Sequence, residues 1–235
     1  MPGYRTKQER IAVAGVADLL IRSLLDRQQY ADPDGDAERA GISSAAWPMF
    51  GLLWPSGAQL AARLAARAVC SGERILEVGC GLALASLVGH RRGCDMTASD
   101  CHPLAARFLL ENLRLNGLAP MKYRHGDWSA AARAPQEAGV AGRAALEGRF
   151  DLVIGSDLLY ERDDDGALAA FIARHAADSA EVWIVDPDRG NRPAFSRCMQ
   201  AHGFALHDQR IDQPGTPAVA AYRGRLLTYR RSSGP

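Results

Sequence analysis

A chain of 235 residues, 47% hydrophobic and 23% charged, has the size and composition of a globular protein with a sizeable core. Its formal net charge of +1 excludes the basic excess by which proteins hold nucleic acid through bulk electrostatics. Five cysteines, Cys70, Cys80, Cys94, Cys101 and Cys198, are odd in number and lack C-x-x-C spacing, which argues against a disulfide framework and a zinc site and fits a reducing cytoplasm.

Charges run through the first residues, and no apolar stretch reaches the ~18 residues of a membrane span, so neither a signal peptide nor a membrane helix is expected. Residues 7–28 place Val13, Val16, Ala17, Leu20 and Leu24 at helical spacing, with Arg22, Asp26 and Arg27 off that face. This predicts an amphipathic helix, and residues 1–44 read as a helical extension that packs on the domain over 45–230. Asp32-Pro33-Asp34-Gly35 is a turn. Residues 42–54 carry Trp47 and Trp54; Trp47 reads as a packed aromatic. An alanine-rich helix runs on from Pro55 to Val69.

Ile75 to Val78 is a short apolar run, expected as a buried strand. Gly79-Cys80-Gly81 follows at once, and Leu82 to His90 reads as a helix. A strand, a glycine turn and a helix start form a place for a polar ligand: the backbone can approach closely, and the first amides of the helix favour electron-rich groups. Asp100 closes the next strand, where a carboxylate can accept hydrogen bonds from a ribose. The unit therefore reads as a nucleoside-cofactor site.

Cys101-His102-Pro103 opens a further helix that ends at Asn116-Gly117. Met121 to His125 is a third strand, ending in Gly126-Asp127-Trp128. An acid followed by an aromatic suits an adenine: Asp127 can accept from the exocyclic amine and Trp128 can offer an apolar face. A turn aspartate and a packed tryptophan would explain the pair equally simply. Residues 129–149 form a long connection. Phe150 to Ser156 is a central strand that runs into Asp157-Leu158-Leu159-Tyr160. Glu161 to Asp165 is an acidic helix start, followed by helix over 167–177, strand over 181–185, Asp186-Pro187-Asp188-Arg189, and helix over 192–202. Phe204 to Ile211 and Val219 to Tyr229 read as an antiparallel pair, and 231–235 as a disordered tail.

Alternating strands and helices predict a doubly wound α/β sheet whose ligand crevice lies at the carboxyl ends of the strands. The candidate site residues all fall at such ends. A dinucleotide fingerprint would need a third glycine where Leu84 stands, and the acid Glu77 inside the strand is foreign to it.

Glu77-x-Gly79-x-Gly81 resembles motif I of the class I S-adenosylmethionine (SAM) methyltransferases. Trp54-Pro55-Ser56-Gly57-Ala58, Asn112-Leu113 to Asn116 and Asp157-x-x-Tyr160 resemble the family-16, lysine-methyltransferase-like group. Asp186-Pro187-Asp188-Arg189 resembles a D-P-x-R motif of its electron-transfer-flavoprotein branch. The resemblance implies a seven-strand Rossmann-like sheet with an antiparallel last strand, and SAM as cofactor. It places Trp54, Glu77, Gly79, Cys80, Gly81, Asp100, Cys101, Asp127, Trp128 and Ser156 around SAM. It gives Asp157 and Tyr160 the methyl acceptor, with a protein lysine as the expected partner, no nucleic acid and no metal. The alternatives are a small-molecule methyltransferase, a dinucleotide-binding oxidoreductase, and a binding module that keeps the fold without turnover. For Asp157 the structural alternative is a helix cap, and for Tyr160 a packed aromatic.

Overall fold

The computed structural model describes residues 4–128, 144–215 and 220–232. The first element is a hairpin, β1 (Thr6–Ile11) and β2 (Leu19–Leu24), paired antiparallel from Thr6↔Leu24 to Ile11↔Leu19. This corrects the expectation of a helix over 7–28. The apolar residues there satisfy a period of two as well as one of 3.6. Leu19, Ile21 and Ser23 are buried on one face, and Gly15 takes a left-handed φ of 85° in the connection. Val13, Leu19, Ile21 and Leu24 join the main core. The exposed backbone edge of β2 meets the helix α4 (Ala105–Leu115). Asn116 Oδ1 accepts the Leu20 N–H at 2.9 Å and its amide donates to Leu20 O at 2.8 Å. Asn112 treats Arg22 the same way, at 2.8 and 3.3 Å. Two asparagines one helical turn apart thus act as the missing partner strand.

After the short helix α1 (Asp36–Arg39), two 3₁₀ turns over 44–46 and 49–51 lead to α2 (Pro55–Ala66). The central sheet is built from β3 (Arg74–Val78), β4 (Asp95–Asp100), β5 (Lys122–His125), β6 (Phe150–Ser156), β7 (Ala176–Asp186), β8 (Ala205–Gln213) and β9 (Tyr222–Arg231). Their order is β5-β4-β3-β6-β7-β9-β8. The first five are parallel, and β9 inserts between β7 and β8, antiparallel to both. The expected doubly wound sheet with its antiparallel last strand is present. The tail expected to be disordered from Arg231 begins inside β9; residues 233–235 lie outside the described residues, as does 129–143 of the long connection.

Helices α2, α3 (Leu84–Arg91) and α4 cover one face of the sheet, and α5 (Ala167–His175) and α6 (Arg192–Ala201) the other. Alternation along the strands divides the core between them: Ile75, Leu152 and Ile154 face the first layer, Leu76 and Val153 the second. Every parallel strand therefore ends on the same edge, where the chain must turn into a helix or loop.

The hairpin anchor is testable. Asn112 is fully buried, and its removal leaves the Arg22 N–H and C=O without partners. Asn112→Ala should cost about 1–3 kcal/mol in urea unfolding. An unchanged midpoint would mean that β2 is held by its apolar side chains alone.

Candidate active site

A cleft opens at the carboxyl edge of the sheet, lined by eleven of the expected site residues: Trp54, Glu77, Gly79, Cys80, Gly81, Asp100, Cys101, Trp128, Ser156, Asp157 and Tyr160. Asp127 is half-buried beside it but does not line it, although its charge reaches the Cys101 thiol. Trp47 stays outside, donating its indole N–H to Ile42 O at 2.9 Å, as a packed aromatic should. Trp54 donates to Met49 O at 2.9 Å and turns its ring to the cleft.

The glycine turn is built differently from the expectation of free amides. Glu77, buried in β3, accepts the Ser86 amide at 2.8 Å and the Ser86 hydroxyl, so it holds the start of α3 itself. Burial pushes its carboxyl up to about 7, against the pull of Ser86. Asp100 Oδ2 accepts the Gly81 N–H and Oδ1 the His102 N–H, each at 2.8 Å. Burial raises its carboxyl as well. Gly79 and Gly81 adopt φ of 58° and 51°. A Cβ on Gly81 would stand 2.9 Å from Phe50 O, and one on Gly79 2.5 Å from Leu158. Both glycines thus admit protein neighbours at close range. Phe50 stacks on His102 with ring centroids 3.8 Å apart and so closes the 42–54 segment over the turn. The Cys80 and Cys101 thiols are both raised by burial and by the Asp100 charge.

Across the cleft, Asp157 sits just beyond β6 in a left-handed conformation, φ 57°, unusual for a side chain other than glycine. It is buried. Its Oδ2 accepts the Ser56 amide at 3.0 Å, capping α2 rather than the helix that follows it in sequence. Its Oδ1 lies 3.0 Å from an Arg189 guanidinium nitrogen and receives no aligned hydrogen bond. Burial raises this carboxyl; Ser56 and Arg189 oppose the shift. Ser56 Oγ in turn shares a hydrogen bond of 2.9 Å with the buried Tyr222 hydroxyl. Tyr160 lies at the mouth, 41% exposed, with its phenol pushed up to about 12 by desolvation. The acidic run beyond it is partly a cap: Asp163 accepts the amides of Ala167 and Leu168 at the start of α5.

Sequence reasoning missed Tyr222 and Phe50, and it noted Ser56 and Arg189 only within motifs. Ser56 lies 101 residues from its partner Asp157. No spacing rule spans that distance.

The charge of the cleft constrains its ligand. Among the described residues, three carboxylates (Glu77, Asp100, Asp157) and one guanidinium (Arg189) line it. An acid already occupies the start of α3, where dinucleotide folds receive a pyrophosphate. The cleft suits a cation or a neutral polar group, not a polyanion. No group of His, Cys, Asp and Glu among the described residues is placed to hold a metal, and no helix among them is long and apolar enough to cross a membrane.

No protein-family model matches the chain. Among known structures, magnesium protoporphyrin IX methyltransferase from Synechocystis, solved with bound SAM, aligns with a TM-score of 0.57 at 16% identity, covering 88% of this chain and 95% of that one. The fold is that of the SAM-dependent methyltransferases. Among curated proteins, the chain is 27% identical over 165 residues to the electron transfer flavoprotein beta subunit lysine methyltransferase of Mus musculus, covering 68% of this chain and 57% of the relative. It is also 31% identical over 176 residues to the biotin biosynthesis bifunctional protein BioCD of Bordetella avium, covering 74% of this chain and 33% of the relative. The chain thus spans less than two thirds of the length of either relative.

The Glu77 carboxyl gives a pH signature. Its folded value, about 7, lies above its ordinary 4.5, so the folded state binds the extra proton between those limits. Stability linked to Glu77 is fully present below about pH 4.5 and falls as pH rises to about 7, by roughly 3 kcal/mol. Glu77→Gln keeps an acceptor for the Ser86 amide and cannot ionise. In urea titrations at pH 5 and 8, the variant should lose less stability between the two than the parent does. Equal losses would mean that Glu77 stays ionised throughout.

Proposed function

We propose that the protein transfers a methyl group from SAM to a nitrogen nucleophile, the amine of a lysine in a protein substrate. The observation that carries the reading is Asp157: a buried carboxylate of the cleft lining whose Oδ1 is paired with Arg189 at 3.0 Å without an aligned hydrogen bond. The similarity to lysine methyltransferases over about two thirds of the chain supports the same acceptor. The five cysteines, all free thiols, fit a reducing compartment such as the cytoplasm.

The residues fit the cofactor. Asp100 offers a buried carboxylate for ribose hydroxyls, the 79–81 turn brings backbone to the cleft, Trp128 offers a flat apolar face, and the surplus of acids suits a sulfonium. When bound, SAM would supply a methyl carbon that an amine lone pair can attack, the electron pair of the broken carbon–sulfur bond leaving on sulfur. The chain's task is positioning and proton removal. A lysine with an ordinary pKa near 10.4 arrives as an ammonium with no lone pair to offer. Asp157 accepts a hydrogen bond from that ammonium, aligns it, and takes or relays the proton that must leave. Tyr160 forms one wall of the entry, and burial keeps its hydroxyl neutral.

The test combines binding, labelling and one variant. Calorimetry should register SAM and not NAD. Radiolabelled SAM should transfer label to a protein band of a cell lysate, with methyl-lysine identified by mass spectrometry. Label appearing only in small molecules would replace the protein acceptor with a metabolite. Asp157→Asn should bind SAM as the parent does and lose about 100-fold in single-turnover transfer, the low end for a general base. Full activity in that variant would reduce Asp157 to the cap of α2.

A further inference from the structure

The expected acid Asp157 has a neighbour that the methyl-transfer reading does not use. Arg189 enters the cleft from the loop after β7. Its guanidinium bridges two buried carboxylates, Asp157 at 3.0 Å and Asp186 at 3.3 Å. The Arg189 backbone is held too: its amide donates to Asp186 Oδ1 at 2.6 Å. Asp186 is fully buried at the end of β7, so the loop and the base of the guanidinium are anchored to the sheet. Asp188, between them, takes a φ of 66°, which turns the chain so that Arg189 faces Asp157 while Asp188 pairs with Arg192 and Arg225.

The formal charges around this point are uneven. Arg192 and Arg225 are matched by Asp188 and Asp208, two cations to two anions. Asp157 and Asp186 share the one cation Arg189. The inner cluster therefore carries one formal negative charge, buried, and its members Asp157 and Arg189 line the cleft. Buried charge is costly unless matched. A single cationic amine entering the cleft matches it.

We propose that Arg189 is the positioning residue of the acceptor site: it holds Asp157 ionised and in place at the cleft lining, and it leaves one unmatched negative charge that selects a cationic amine as acceptor. The proposal rests on the methyl-transfer reading and names the device that recognises the acceptor. The other groups that face Asp157 are the Ser56 amide from α2 and the Tyr222 hydroxyl from β9, reached through Ser56 Oγ, with Tyr160 on its own loop. Of these, Arg189 alone carries a positive charge. Its removal disfavours the carboxylate, so Asp157 should hold its proton to higher pH.

The experiment follows the Asp157 carboxyl directly in the full chain by carbon-13 NMR titration, its signal assigned by its loss in Asp157→Asn. Arg189→Gln should move the titration up by about one unit or more, the size expected when an opposite charge within a few ångströms is lost. Arg189→Lys, which keeps the charge and lowers the risk of misfolding, should fall between variant and parent. In single-turnover transfer, the acid limb of the pH–rate profile should move up in Arg189→Gln by the same amount, and the Lys variant should recover part of it. SAM affinity should stay at the parent's value in both. A titration that does not respond to Arg189, in a parent that transfers methyl groups to amines, overturns the role of Arg189 alone. A parent that transfers to no amine overturns the reading beneath it, and the role with it. A rate loss with an unmoved pH profile, or a loss of SAM affinity, makes Arg189 a structural residue of the β7 loop and overturns the proposal.

Discussion

Four neighbouring strands of the parallel sheet end in a buried acid, and the cleft depends on how each is satisfied. Glu77 lies in β3, Asp100 ends β4, Asp157 follows β6 and Asp186 ends β7. Each accepts a main-chain amide: Ser86, Gly81 with His102, Ser56, and Arg189. A carboxylate taken out of water must recover its hydrogen bonds, and at the end of a parallel strand the nearest donors are the amides of the turns that follow. These acids therefore bind turns and helix starts to the sheet before they meet any ligand. The site is rigid because its polar groups are also its fastenings.

The same economy explains the glycines. Gly81 would admit no side chain because Phe50 O stands over it, and Gly79 none because Leu158 does. The 42–54 segment, the turn after β3 and the loop after β6 thus converge on the backbone of Gly79 and Gly81. Phe50 joins them to His102 by stacking, and His102 is joined to Asp100 through its amide. A change in any one of these loops is felt by the others through contact alone.

The doubly wound order, the strand-end location of the site and the glycines and acids of the cleft lining were legible in the sequence, because they rest on local apolar runs and on residues at fixed offsets. The hairpin was not. Its residues fit both periods, and the decision between them is made by Asn112 and Asn116, which supply a partner edge some ninety residues away. The pairing of Asp157 with Ser56 and Arg189 was hidden for the same reason. The residue itself was visible; the direction of its oxygens was set by elements that only the fold brings together. The Glu77 result shows the converse case, where a local motif was visible but its purpose differed. The acid does not simply face a ligand; it takes the Ser86 amide and hydroxyl in the first turn of α3.

That last point decides which ligands the architecture can accept. In a dinucleotide fold the first helix offers bare amides to a pyrophosphate, and the strand before it is apolar. Here the strand supplies its own carboxylate to those amides, so a polyanion would meet an occupied and acidic site. The acid that excludes phosphate also leaves the cleft short of positive charge, and Arg189 offsets only part of the deficit. On the proposed methyl-transfer reading, a sulfonium and an ammonium are the two cations such a cleft would bring together. They repel each other in water, and a surplus of fixed negative charge is what lets them approach. On that reading, the buried acids that fasten the turns would also ease the approach of the two cations, and loss of the ammonium's proton would remove their repulsion.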